Sequence, residues 1–166
     1  MAKATAKRKT KAARAGARKS SARRPVKAAA KTRAKAKRPR KQTFVANHLG
    51  DSKFEPGLRA YAHYRDLGIA KATGGLAQAH VIRLIPPCDP KEVSKRHYHD
   101  VDFQMIYVLK GWMTSEFEGE GRHTFHAGSC WIQPPKIKHT VVGYSDDCEL
   151  LEIVLPADFE TVTLKA

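Results

Sequence analysis

The segment HYHDVDFQMIYVLKG, residues 97–111, decides the fold of this chain. Two histidines stand at alternate positions before an apolar run, which a glycine closes. In a β-strand, residues i and i+2 share a face, so His97 and His99 point to the same side. Gln104 follows His99 at an odd spacing and would face away in an unbroken strand. The composition of HDVD predicts a turn around Asp100, which would return Gln104 to the histidine face.

The same segment predicts a metal site. Gln104 shares its face with Ile106 and Val108, which would line an interior. A further histidine opens a strand in GSCWIQPPKIKHTVVG. Imidazole nitrogen and amide oxygen can both bind metals. The predicted ligands are His97, His99, Gln104 and His139. A hydrogen-bonded core cluster, with Gln104 as donor and acceptor, is the alternative.

Most of the chain after residue 43 predicts β-strands. Short segments rich in β-branched and aromatic residues are bounded by Gly, Pro or Asp. The predicted strands lie near 61–64 and in 76–86, 92–99, 102–111, 112–119, 121–128, 129–135, 139–145 and 148–156. A hairpin turn should place Gly119 or Gly121 at positive φ. So many short strands without a long helix are typical of a sandwich or a barrel.

Two motifs in this region resemble those of the cupins, small jelly-roll barrels also described as double-stranded β-helices. The first has the form H-x-H, three or four residues, Glu, six residues, Gly, and the second G, five residues, P-x-G-x-x-H, three residues, N. The matching positions here are His97, His99, Gln104 and Gly111, then Gly128, Pro134, His139 and Gly143. The resemblance covers about residues 76–156. It implies a small single-domain, quercetin-dioxygenase-like cupin at 43–166.

Three positions depart from the family pattern. Gln104 replaces a glutamate, Lys136 a glycine and Gly143 an asparagine. The last two should alter a turn. Carboxylate suits hard ions such as Mn²⁺, whereas imidazole suits Zn, Fe and Ni. We therefore expect a divalent transition metal, with Fe(II), Zn or Ni favoured over Mn. The uncompensated positive charge should attract an anionic or enolate-like oxygen donor.

The resemblance also implies a substrate pocket. The expected lining residues are His80, Ile106, Val108 and Trp131. His80 is read either as a core histidine or as a substrate contact, and Arg83 either as a surface residue or as an anion anchor. No second acid or base is evident, so a bound metal would do most of the chemistry.

The fold alone does not determine the function. The resemblance implies a small-molecule metalloenzyme, either dioxygenase-like or a non-redox isomerase or cyclase. Its substrate would be an oxygen-chelating molecule, with an anionic one as an option. The alternatives are a ligand- or metal-sensing cupin tethered to nucleic acid, and a structural cupin without turnover. A homodimer formed through residues 44–70 is a further implication of the family.

The amino-terminal segment, residues 1–42, is predicted to be a disordered basic tail. Residues 1–41 hold 18 of the 31 Lys and Arg and no acidic residue, so this part carries +18 and the rest −3. The tail resembles the Lys/Ala-rich tails of linker histones, which implies non-specific DNA or RNA binding. The predicted contacts are Lys7, Arg8, Lys9, Arg23, Arg24, Lys37, Arg38, Arg40 and Lys41. An unspecialised tail and a targeting segment are the alternatives.

The cysteines and the hydropathy of the chain indicate in which cellular compartment we expect the protein. Cys88, Cys130 and Cys148 form an odd set without repeating spacing, which argues against a disulfide framework. No apolar run approaches the length of a membrane span. We therefore expect a cytoplasmic protein without membrane contacts, and binding of its tail to nucleic acid would place it at the nucleoid.

Overall fold

The structure is a computed structural model that describes residues 41–165. The predicted disorder of the basic tail and its nucleic-acid contacts up to Arg40 therefore lie outside the described residues, and Lys41 is exposed. Within 41–165, no helix is long and apolar enough to span a membrane.

Eleven short strands and two single-turn helices make up the described region. In chain order they are β1 (Glu55–Pro56), β2 (Ala62–Asp66), α1 (Ile69–Ala72), β3 (Gln78–Leu84), α2 (Pro90–Val93), β4 (His97–Asp100), β5 (Phe103–Lys110), β6 (Trp112–Phe117), β7 (Gly121–His126), β8 (Cys130–Ile132), β9 (His139–Tyr144), β10 (Glu149–Leu155) and β11 (Glu160–Thr163).

The strands form two antiparallel sheets. The six-stranded sheet has the order β1-β2-β3-β10-β5-β8, and the five-stranded sheet has the order β11-β4-β9-β6-β7. Apolar side chains from both sheets meet in one core. Its buried members are Ala62, Leu84, Val93, Ile106, Val108, Met113, Val141, Tyr144, Cys148 and Leu150. The all-β, jelly-roll prediction is confirmed.

The predicted turn after the two histidines carries the chain from one sheet to the other. β4 ends at Asp100 and pairs with β9 and β11, whereas β5 begins at Phe103 and pairs with β10 and β8. His97 is 4% exposed and Gln104 is 1% exposed, and both line the same cavity. The break in the HDVD segment is thus what brings His97 and Gln104, from different sheets, to one interior site.

The predicted strand at 92–99 is wrong in its first half. Residues Pro90–Val93 form helix α2, and the strand begins only at His97. The side chain of Asp89 accepts a hydrogen bond from Lys91 N at 2.9 Å and so caps the helix. A proline in the first turn favours the helix further.

The prediction also missed β11, because it ended the last strand at residue 156. β11 follows that boundary and pairs with β4. Thr161 lies opposite His99 in this pairing. The missed strand therefore covers one side of the histidine strand.

The turn before His139 keeps a left-handed residue although its motif glycine is replaced. Lys136 has φ 63°, in the region that glycine favours. Its backbone N–H donates to His99 O at 3.0 Å, and its ammonium lies 3.0 Å from a carboxylate oxygen of Asp100. These contacts hold the turn against β4. Gly119 and Gly121 both have positive φ, as the hairpin prediction requires.

Candidate functional site

Three histidines from two neighbouring strands converge between the sheets. His97 and His99 lie on β4, and His139 opens β9 directly opposite His97. Their ligand atoms all lie within 4.8 Å of one another. The rings of His97 and His139 are 4.2 Å apart between centroids. This cluster could hold a metal ion, as the H-x-H spacing predicts.

Backbone carbonyls orient two of the three rings. Nδ1 of His97 lies 2.7 Å from Lys95 O, and Nδ1 of His139 lies 3.0 Å from Ile137 O. A carbonyl can only accept, so Nδ1 carries the proton in both rings. Nε2 is then unprotonated and carries a lone pair, which is the arrangement that metal-binding histidines use. In His139 this lone pair accepts a hydrogen bond from Gln133 Nε2 at 3.1 Å.

The third ring is oriented by the strand that the sequence prediction missed. Nδ1 of His99 lies 2.8 Å from Thr161 Oγ1 on β11. A hydroxyl can accept this ring proton, which leaves Nε2 of His99 with its lone pair as well. All three imidazoles are thereby held by a partner on the side away from Nε2.

Burial keeps the cluster in its neutral form. Burial and, to a smaller extent, the neighbouring His139 lower the pKa of His97 to about 3. Burial likewise lowers the pKa of His139 to about 4 and depresses the pKa of His99. Metal binding requires deprotonated imidazole, so the site needs no proton release at neutral pH. Three neutral imidazole nitrogens are a donor set that suits a divalent transition metal.

Gln104 lies beside this cluster in a hydrogen-bonded network. Its Nε2 donates to Glu152 Oε1 at 2.6 Å, and its Oε1 accepts from Gln133 Nε2 at 3.0 Å. Because a carboxylate only accepts, Glu152 determines which way the Gln104 amide points. Oε1 retains a second lone pair beside this hydrogen bond. The assignment of Gln104 as a fourth ligand stays a prediction.

A largely buried carboxylate that sequence reasoning missed accepts the hydrogen bond from Gln104. Glu152 is on β10, 12% of its side chain is exposed, and its Oε2 lies 2.6 Å from His80 Nε2. Burial acts to raise the pKa of Glu152, but the hydrogen bonds and charge of His80, with the bond from Gln104, outweigh it and lower that pKa. Glu152 is therefore ionised, and the structure adds a carboxylate that was not evident in the sequence analysis.

The alternation of inward and outward side chains along β10 could have indicated that Glu152 faces the interior. Leu150 and Val154 are buried, and Glu152 occupies the position between them on the same face. An acidic residue on an inward face is unusual unless it is paired. His80 on β3 is its cross-strand partner in the register of the sheet.

Gln133 extends the network to the histidine cluster. This residue is 4% exposed, and its Nε2 lies 3.0 Å from Gln104 Oε1 and 3.1 Å from His139 Nε2. Trp131 Nε1 donates to Gln133 Oε1 at 3.1 Å, and this fixes the amide orientation because the indole can only donate. The sequence analysis missed Gln133, although it shares a face with the predicted pocket residue Trp131.

The site opens into a cavity of about 310 Å³ between the sheets. The three histidines, Gln104, Glu152 and Gln133 all line it. Three of the predicted pocket residues, His80, Ile106 and Trp131, line it too. Val108 is not among the lining residues: it is fully buried in the core, opposite Leu150 in the strand register. The substrate contacts of these residues stay a prediction.

Several other polar residues lie away from the cavity. His48, His123 and His126 are exposed. Arg83 forms an ion pair with Glu149 at 2.8 Å and lies over the ring of Phe54. Its guanidinium is half-exposed, so Arg83 is a surface residue rather than an anion anchor of the pocket.

A family model described as "Cupin domain" matches residues 88–154. This segment contains the three histidines and about half of the residues that line the cavity. Residues 88–154 therefore match a cupin domain, and the two-sheet fold of the described residues is consistent with the cupin β-barrel.

Solved cupin structures share this fold at low sequence identity. The polyketide cyclase RemF from Streptomyces resistomycificus superimposes with a TM-score of 0.59 and 18% identity, over 75% of this chain and 87% of that one. KdgF from Halomonas sp. superimposes with a TM-score of 0.52 and 19% identity, over 69% of this chain and 94% of that one. A sugar phosphate isomerase from Silicibacter pomeroyi superimposes with a TM-score of 0.52 and 20% identity, over 69% of this chain and 75% of that one. No curated protein matches the sequence.

Proposed function

We propose that this protein is a metal-dependent enzyme that acts by proton transfer on a small molecule with chelating oxygen atoms. One observation carries the proposal: three neutral imidazoles and the buried His80–Glu152 pair line a single cavity. A volume of about 310 Å³ suits a small substrate. Fe(II), Zn and Ni are the metals that the donor set favours.

The chain's own groups suit the abstraction of a proton next to a carbonyl. A metal held by His97, His99 and His139 would supply a Lewis acid that polarises a substrate oxygen. The His80–Glu152 pair, ionised at Glu152, accepts the proton as the C–H bond breaks, and the electron pair moves to the carbonyl oxygen. The pair then returns the proton to the product, so the reaction needs no oxidant.

The reactions named for two structural neighbours, a polyketide cyclase and a sugar phosphate isomerase, are compatible with this chemistry. At 18% and 20% identity these neighbours support the fold, and the reaction class rests on the cavity. A dioxygenase-like reaction is the alternative use of the same histidines, and it requires O₂ as the oxidant.

Glu152→Gln tests the proposal. The full-length protein, after elemental analysis of its metal, is incubated in D₂O with β-dicarbonyl and hydroxyketone compounds, while NMR follows deuterium entry and an electrode follows oxygen. We expect exchange next to the carbonyl without oxygen uptake. Glu152→Gln should slow it by about a hundredfold or more at unchanged metal content, because the pair loses its anionic base.

Glu149→Gln is the matched control, because Glu149 lies on the same strand but pairs with the surface residue Arg83. Its exchange rate should match that of the wild type. Oxygen uptake with substrate cleavage would contradict proton transfer and support the dioxygenase alternative. Equal rates in the Glu152→Gln and wild-type proteins would exclude the His80–Glu152 pair as the base.

A second candidate function rests on the division of charge along the chain. A segment of +18 precedes a region of −3, which catalysis alone does not require. We propose that residues 1–41 tether the protein to DNA or RNA through backbone phosphates. The segment has no aromatic side chain to stack on bases, so this binding would be independent of sequence.

Removal of residues 1–41 should strongly weaken duplex binding. In a fluorescence anisotropy titration, the affinity of the full chain for a duplex should fall with salt, with a log–log slope of about −0.9 per phosphate contacted. The shortened protein should bind at least about a hundredfold more weakly at low salt. Equal binding by both proteins would exclude the tail as the contact. A change in binding on adding Zn²⁺ would support the sensing alternative.

A further inference from the structure

Arg59 lies in the loop between β1 and β2 and lines the same cavity as the three histidines. The loop closes with a hydrogen bond from Ala62 N to Arg59 O at 3.0 Å. It packs directly on Tyr64, since a Cβ added to Gly57 would lie 2.3 Å from Cδ2 of that ring. The Tyr64 ring in turn meets His80 edge-on, with centroids 5.2 Å apart. The loop is therefore seated on the cavity wall and positions Arg59 there.

The guanidinium of Arg59 lacks an acceptor where it is buried. Its Nη2 is buried and has no hydrogen-bond partner. None of the ion pairs within residues 41–165 includes Arg59. A buried charged donor without an acceptor is costly, and such groups in folded proteins usually have a partner. A ligand that enters the cavity can supply the acceptor.

The positive charge of Arg59 acts on the histidine cluster. Burial is the main cause of the lowered pKa of His97, His99 and His139, and the Arg59 charge contributes to all three shifts. Arg59 therefore lies within electrostatic range of the candidate metal ligands. A small molecule that reaches the histidines also lies in the field of this guanidinium.

We propose that Arg59 binds an anionic group of the substrate, a carboxylate or a phosphate, and so restricts the substrate to organic anions. The inference deepens the proposed function and rests on the cavity being its substrate site. A guanidinium presents a planar fork of donors that matches carboxylate and phosphate oxygens. The anionic group would lie at the Arg59 loop, while the reacting oxygens face the histidines. Arg59 thus takes the role of anion anchor that the sequence analysis considered for Arg83.

The test follows anion binding at the cavity itself. The probes are malonate, inorganic phosphate and the neutral malonamide, added to the full-length protein in metal-free and Zn-loaded forms. NMR of isoleucine methyl groups gives a local readout, because Ile82 and Ile106 line the cavity and residues 1–41 contain no isoleucine. The exposed Ile132 serves as an internal reference. The variants are Arg59→Gln, Arg59→Lys and the surface control Arg83→Gln.

We expect malonate or phosphate, but not malonamide, to shift the two cavity methyl signals in the wild-type and Arg83→Gln proteins. Arg59→Gln should weaken this binding by about tenfold or more. The affinity of Arg59→Lys should lie between those of the wild type and Arg59→Gln, because lysine keeps the positive charge but lacks the planar fork of donors. Binding of phosphate alone would indicate a phosphorylated substrate, and binding of malonate alone a carboxylate.

Equal affinity in the wild-type and Arg59→Gln proteins would overturn the inference, as would the absence of cavity shifts in the wild type with every anion. A different result would contradict the proposed function without contradicting the anion site. If the protein shows Arg59-dependent anion binding yet takes up no metal and exchanges no proton, the anion site stands and the metalloenzyme does not.

Discussion

The His97→Ala/His99→Ala protein is expected to lose more than about a hundredfold in affinity for Zn²⁺ or Ni²⁺. Each ligand of this cluster offers one nitrogen, and the double substitution leaves only His139. Loss of a residue that merely supports a metal ligand already costs about 10–100-fold, so loss of two ligands should cost more. Calorimetric titration of chelator-treated, untagged protein measures the effect.

The matched control is His123→Ala/His126→Ala. These two histidines are exposed on β7, outside the cluster. The control should bind one equivalent of metal with wild-type affinity and should be stabilised by it against thermal unfolding. Near-UV circular dichroism distinguishes loss of ligands from loss of fold in the His97→Ala/His99→Ala protein. If that protein folds and binds as tightly as the control, the cluster is not the metal site.

Gly111→Ala should lower the free energy of unfolding by about 3 kcal/mol or more. Gly111 joins β5 to β6 with φ 68°, where an L side chain is strained. A Cβ there would lie 2.1 Å from Ser145 Oγ and 3.1 Å from the Cα of Cys148. Ser145 Oγ accepts a hydrogen bond from Trp112 N at 2.9 Å, so it cannot move aside without breaking that bond.

Gly119→Ala separates backbone strain at positive φ from steric contact of the added Cβ as causes of the lost stability. Gly119 has φ 83°, but nothing lies within 4 Å of a Cβ added there. Only the backbone strain remains, and the expected cost is about 1 kcal/mol. Urea denaturation of both variants beside the wild type gives the comparison. Equal costs for Gly111→Ala and Gly119→Ala would show that contact with Ser145 and Cys148 is not what requires glycine at residue 111.

Local geometry made the histidine cluster predictable. His97 and His99 share a face because side chains alternate along any strand. The turn composition of the HDVD segment was enough to place Gln104 in the interior, since one break in the strand reverses its facing. Helix α2 was readable in the same way, because Asp89 precedes Pro90 at a helix start. The β-branched and basic residues that follow it favour a strand instead, which is why the pattern alone predicts no helix there.

The polar partners of the site could not be predicted as pairs. Glu152 follows Gln104 after 48 residues, and Gln133 follows it after 29. Their contact depends on the pairing of β5 with β10 and with β8. A shift of one residue in either register would turn these side chains to the other face. Alternation shows that Glu152 faces inward, but it does not show which residue receives it.

The amino-acid sequence by itself determined the all-β class, the separation of a +18 segment from the rest, and the shared face of His97 and His99. These properties depend on composition and on neighbours within a few residues. Only the tertiary structure decided that Glu152 pairs with His80, that Thr161 orients His99, and that Arg59 reaches the cavity. Such contacts join segments far apart in the chain, and their geometry is set by strand register and burial, which no local pattern encodes.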